Sequence, residues 1–178
     1  LKNVLVNLEI SMNKAIVNKA LKIKPNFICL VPENRKEITT EGGLNIKNNF
    51  NKLEKIIKRF KKANIRTSLF INPSSKDIRL AKKLNADCIE IHTGKLANLV
   101  KSKKNYSREL NRIKKSAKLG SSLKIEVHAG HGLDYKTTKI LTKIIDIQEY
   151  NIGHFVIGES IFYGLSKVIK NFKKIIKK

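Results

Sequence analysis

The 178-residue sequence has no tryptophan, and aromatic residues make up only 6% of it. Stacking platforms of the kind that grip single-stranded nucleic acid have little to be built from. There are two cysteines, Cys29 and Cys88, each inside an apolar, strand-like run. A structural disulfide or a zinc site is not expected from them, and both thiols read as small hydrophobes packed in a core. No apolar run approaches the roughly 20 residues that cross a bilayer, and the N-terminus lacks a charged-then-apolar secretory pattern. The expected compartment is the cytoplasm, with no membrane partner. The phosphate-gripping GxxxxGK[ST] loop is absent as well.

Acidic residues are scarce, 14 against 38 lysines and arginines, so the formal charge is +24. Such an excess ordinarily raises nucleic acid as a partner. Here the lysines are spread through every helical stretch among asparagines and isoleucines, with no arginine-rich stripe and no basic repeat. Specific nucleic-acid binding is therefore not expected, whereas anionic small molecules suit the charge. A hydrophobic content of 41% supports one substantial core, and no linker-like composition interrupts it. The expectation is a single domain over residues 1–178.

What the sequence does contain is a recurring unit: an apolar run, a polar or glycine-rich turn, then a helix-compatible stretch. The runs are Val4–Leu8, Phe27–Val31, Thr67–Ile71, Cys88–Ile91, Leu123–Val127 and Tyr150–Ile152. The helix-compatible stretches are Met12–Leu21, Asn49–Ala63, Lys76–Leu84, Ser107–Leu119, Thr137–Ile145 and Ile161–Ile176. Short crossovers favour a parallel sheet, and continuous runs such as Phe27–Val31 suit strands covered on both faces. Gly120 reads as a helix exit and Asp87 as a strand start. Two α/β architectures fit: an open six-stranded sheet, or a TIM (β/α)8 barrel lacking its first two βα units in this chain.

Three strand ends carry glycine and histidine together: Glu90-Ile91-His92-Thr93-Gly94, His128-Ala129-Gly130-His131-Gly132 and Asn151-Ile152-Gly153-His154. In a parallel α/β sheet such ends converge on one side, which is the usual place for chemistry. Glu9 emerges from the first run and is a candidate acid or base. Glu90 and His92 share a face because they lie two apart on one strand, and a buried Glu90 would need a partner. His131 can donate or accept a proton near neutral pH, whereas His128 either packs or assists. The long polar segment from Pro32 ends in Thr39-Thr40-Glu41-Gly42-Gly43, a composition able to fold over a substrate. Backbone N–H groups around Gly130, Gly132, Gly153 and Gly158 suit a phosphate at a helix start. Neither a metal nor a cofactor is expected.

These segments also resemble the pyridoxine 5'-phosphate synthase family. The match runs through Asn7-Leu8-Glu9, Leu30-Val31-Pro32-Glu33-Asn34-Arg35, Thr39-Thr40-Glu41-Gly42-Gly43-Leu44, Ser68-Leu69-Phe70-Ile71, Ile89–Gly94, Ala129–Leu133 and Asn151–His154, in family order. The resemblance implies condensation of 1-deoxyxylulose 5-phosphate with 3-amino-2-oxopropyl phosphate to pyridoxine 5'-phosphate, inorganic phosphate and water. It implies proton transfer at Glu9, acid–base help from His131, and Glu90 lining the site. Thr39, Thr40, Glu41, Gly42, His92 and Thr93 would belong to the substrate and lid region, and Gly132, Gly153 and His154 to a phosphate-holding region. A homo-octamer is implied as the assembly.

The departures are specific. The family pattern places an Asn-x-Asp-His strand and a His-x-Arg segment before the equivalent of Leu1, and both would contribute to the site. The expectation is that these units exist outside the present sequence. The competing reading is a noncatalytic phosphate-binding or structural remnant. His128 stands where the pattern has Asn, and Glu159 where it commonly has Arg; a carboxylate beside a phosphate pocket would repel its ligand.

Overall fold

A computed structural model describes residues 4–34 and 42–177. The first half of the chain forms β1 (Asn7–Ile10), α1 (Lys14–Ile23), β2 (Phe27–Leu30), α2 (Ile46–Lys62), β3 (Arg66–Ile71) and α3 (Ser75–Lys83). The second half forms β4 (Cys88–His92), α4 (Gly94–Lys101), α5 (Ser107–Ser122), β5 (Glu126–Gly130), α6 (Tyr135–Leu141), β6 (Glu149–Asn151), α7 (His154–Tyr163) and α8 (Leu165–Ile176). All strand pairs are parallel and their spatial order is the chain order. A doubly wound sheet reverses its order at a switch point; this one does not, so successive right-handed crossovers put the helices on one face.

The sheet is curled. One carboxylate oxygen of Glu90 on β4 lies 2.7 Å from Asn151 Nδ2 on β6 and 3.6 Å from Cys29 Sγ on β2. In a flat sheet β2 and β6 would stand about 19 Å apart, four spacings of about 4.8 Å, beyond the reach of three short side chains. Side chains from alternate strands meeting in one layer are the packing of a (β/α)8 barrel interior. The architecture is therefore a six-stranded parallel half-barrel with flanking helices, with β1 and β6 as its edges among the described residues.

Four expected strands hold to within a residue, whereas β1 and β5 begin three residues later than the runs Val4–Leu8 and Leu123–Val127, and the inner face has a different meaning. Runs covered on both faces were expected to be apolar throughout, yet Asn7-Leu8-Glu9-Ile10 and Cys88-Ile89-Glu90-Ile91-His92 alternate. The outer set, including Ile28, Leu30, Leu69, Ile71, Ile89, Ile91 and Val127, joins Leu53, Ile57 and Phe60 of α2 and Ile113 of α5 in the core. The inner face is polar because it lines a cavity rather than a second apolar layer. Both cysteines are buried free thiols, as expected, but they lie on that inner face beside charged groups rather than among apolar side chains alone.

Helix ends follow local chemistry. Asn13, Asn45, Ser74 and Asp134 accept N-terminal backbone N–H bonds at α1, α2, α3 and α6. The exits turn through left-handed Lys24, Asn64, Asn85 and Lys124. Gly120 is no exit: it sits inside α5, where a Cβ would come within 2.7 Å of Val127 Cγ2. It lets the helix approach β5 closely. Asp87 does mark a strand start, its carboxylate accepting from the Thr67 N–H at 2.8 Å and so pinning β4 to β3.

Two helices escaped the periodicity. α4 follows the Thr93-Gly94 turn, and the expected Ile161–Ile176 helix is divided at Gly164 (φ 79°) into α7 and α8. Among the described residues no helix is long and apolar enough to cross a membrane.

Candidate active site

A cavity of about 960 Å³ opens at the carboxyl ends of the strands. Glu9 from β1, Glu90 from β4, His131 and Gly132 from the turn after β5, and Gly153 and His154 at the start of α7 all line it. Side chains separated by more than 140 positions in sequence thus share one space because every strand points the same way. Gly42 lines it too, so both described ends of the long loop, Pro32 and Gly42, border the cavity. Thr39, Thr40 and Glu41 lie outside the described residues.

Glu90 is 4% exposed, and its cost of desolvation is met by the Asn151 amide and the Cys29 thiol. Burial is the main cause that pushes its pKa up from 4.5 to about 7, and the neighbouring Glu9 charge pushes the same way. A carboxyl held near neutrality can both give and take a proton at physiological pH. Cys29 stays a thiol: burial, then the charge of Glu90, hold its pKa well above the ordinary value. It can therefore donate to the carboxylate.

Gly130 pairs with His92 across the β4–β5 register, two residues beyond the Glu90–His128 pair. A Cβ at position 130 would collide with a Glu90 carboxylate oxygen and lie 2.8 Å from Cδ. Gly130→Ala is accordingly expected to lower unfolding free energy by about 1–3 kcal/mol through overpacking, readable as a lower urea midpoint. It should also cost activity by turning the Glu90 carboxyl; an unchanged midpoint and rate would show that the strand gives way freely.

His131 sits at φ 78°, followed by Gly132 at φ 76°. A non-glycine residue there stores about 1–3 kcal/mol of backbone strain, which the surroundings must hold. Thr93 does this: its buried hydroxyl donates across to the carbonyls of Gly130 (2.7 Å) and His131 (2.8 Å), and its N–H donates to Gly130 at 2.8 Å. Thr93 thus faces the backbone, and its side chain positions the His131 turn. His92 stacks on His131 with ring centroids 4.8 Å apart and meets Phe70 edge-on at 5.1 Å. It borders a neighbouring depression of about 500 Å³ shared with His131, Lys95 and Lys104.

Sequence reasoning passed over Asn151 as a polar partner, Cys29 as a donor, and Lys101, Asn98 and Phe70 as cavity lining. Lys101 carried no signal because lysine is everywhere in this chain. Asn151 could have been found, since it opens the segment Asn151-Ile152-Gly153-His154. His128 points to the opposite end of the inner face, bonded to Glu126 at 2.9 Å. Glu159 does not line the cavity.

The chain is similar to known proteins over nearly its whole length. Pyridoxine 5'-phosphate synthase of Pelagibacter ubique (strain HTCC1062) is 60% identical over 177 residues, covering 99% of this chain and 74% of the relative. The synthase of Zymomonas mobilis is 46% identical over 171 residues, 96% of this chain and 66% of its own length. A xylose isomerase domain protein from Planctomyces limnophilus superposes with a TM-score of 0.60 over 98% of this chain and 72% of its own. At 9% identity that likeness is one of fold alone. The family model described as pyridoxal phosphate biosynthesis protein PdxJ matches residues 1–178 from end to end, and this chain belongs to that family.

Proposed function

We propose that this chain works as a pyridoxine 5'-phosphate synthase, joining 1-deoxyxylulose 5-phosphate and 3-amino-2-oxopropyl phosphate with loss of phosphate and water. The observation that carries this is the gathering of Glu9, Glu90 and His131 around one cavity that also holds Gly132, Gly153 and His154. Ring closure requires protons to leave carbon and nitrogen and to reach departing oxygens. Two carboxyls and an imidazole within one cavity supply carriers for both directions.

Glu9, at the mouth, takes protons from the reacting chain, and its charge raises the affinity of Glu90 for a proton. Glu90 then serves as a store near pH 7, its orientation set by Asn151 and Cys29. His131 delivers protons to leaving groups, and its stack on His92 fixes the plane of its ring. The unpaired N–H groups at the start of α7, with Gly132, hold a substrate phosphate, and Lys101 adds a cation on the facing wall. The whole is a cytoplasmic homo-octamer; Ile157, Ile161 and Phe162 on α7 are exposed apolar side chains suited to subunit contacts.

Supplying the protein with both substrates is expected to release orthophosphate and form pyridoxine 5'-phosphate in equal amounts, followed by phosphate assay and chromatography. Light scattering on the same sample should give eight chain masses. Folded protein that yields neither product would overturn the synthase, and protection from heat by either phosphate ester without turnover would select the noncatalytic reading.

A further inference from the structure

We propose a second site, at the opposite end of the inner face from the cavity, in which Cys88, Glu126 and His128 bind a zinc ion. The register makes the cluster: Cys88 on β4 pairs with Glu126 on β5, and His128 follows two residues on, pointing to the same side. One ligand atom from each lies within 4.8 Å of the others. A tetrahedral zinc with bonds of about 2.0–2.3 Å spaces its ligands about 3.3–3.7 Å apart, so closure needs side-chain shifts of about an ångström. Sulfur, nitrogen and oxygen together form a borderline-soft donor set, which suits zinc over magnesium or calcium.

Two further observations point to a cation here. His128 is 1% exposed, with Nε2 2.9 Å from Glu126 and Nδ1 3.6 Å from Glu149, and Nδ1 has no hydrogen-bond partner. In either neutral tautomer the imidazole has one proton to place between two carboxylates, so one nitrogen lone pair faces negative charge. With the proton on Nδ1, facing Glu149, Nε2 is left free for a metal that Glu126 also binds. A carboxylate behind a ligating histidine is the usual outer shell of a zinc site.

The place also already accommodates positive charge. Arg66 Nη2 lies 2.6 Å from Glu126 and 3.3 Å from Cys88 Sγ. The side chains of Arg66 and Glu149 are nearly half exposed, so an ion has a path in and the guanidinium has a path out. Binding replaces the Cys88 S–H bond by S–Zn and releases one proton to water; Arg66 swings into solvent with its charge intact. Direct coordination is what removes the thiol proton. The bound ion would tie β4 to β5 at the strand starts, outside the cavity lining, so its main effect is on stability.

Cobalt(II), which reports thiolate coordination by a near-ultraviolet charge-transfer band, is the probe. The whole protein is expected to bind one cobalt per chain with that band and to release it to zinc, and zinc should raise the thermal midpoint. Cys29→Ser should keep the band and Cys88→Ser should lose it. Glu126→Gln should weaken binding by about tenfold or more. Arg66→Ala should strengthen binding, because the competing cation is gone, and this variant decides the matter even where Cys88→Ser fails to fold. Absence of saturable binding, a band that survives Cys88→Ser, or weaker binding by Arg66→Ala overturns the site.

Discussion

Glu9→Gln is expected to lower the rate of pyridoxine 5'-phosphate formation by about 10²–10⁴-fold, the usual worth of a positioned proton carrier. Glutamine keeps the size and hydrogen-bonding reach of the side chain but cannot take a proton. Glu9 is exposed at the cavity mouth, so the thermal midpoint should stay within a degree or two of the parent's, the scale of surface substitutions. The loss should fall on kcat, because the interaction removed is one made in the transition state. A rate within tenfold of the parent's, in a folded variant, would remove Glu9 from proton transfer and leave Glu90 and His131 to carry it.

The second large effect concerns pH. Glu90 titrates at about 7 in the folded chain against 4.5 ordinarily, so between those values the folded state holds a proton that the unfolded state has released. Its contribution to stability is full below the lower value and is lost as pH rises through the upper one. Glutamine does not titrate. Relative to the parent, Glu90→Gln should therefore gain up to about 3 kcal/mol of unfolding free energy between pH ~4 and pH ~8, from a shift of about 2.5 units at about 1.4 kcal/mol each. Urea titrations across that range measure it, and a constant difference would falsify the buried-carboxyl account. Activity should fall in the same variant. A group that costs stability at the working pH and supports catalysis is the expected trade at a functional site.

The same residue shows how far a sequence can be read. Alternation along Cys88-Ile89-Glu90-Ile91-His92 is visible in the letters and puts Glu90 and His92 on one face. That this face lines a cavity is not visible, because a period of two is the same whether the second face meets water, a ligand or another sheet. Asn151 and Cys29 each lie 61 positions from Glu90, and nothing local marks them as its partners. Cys29 looked like a core thiol for the same reason: its neighbours Ile28 and Leu30 are apolar, and they face the helices while it does not. Gly120 looked like a helix end because glycine usually is one; the requirement it answers is set by Val127, on the next strand.

The order of the strands, the six βα units and the convergence of glycine and histidine at strand ends were determined by the sequence alone. Those features follow from periodicity and turn chemistry, which act over a few residues and leave a mark in any window of that size. The curl of the sheet and the pairing of its strands decided the rest: the curl brings β2, β4 and β6 to one carboxylate oxygen, and the β4–β5 register sets Cys88, Glu126 and His128 side by side. Desolvation and coordination depend on which atoms crowd a point in space, and only the folded chain specifies that.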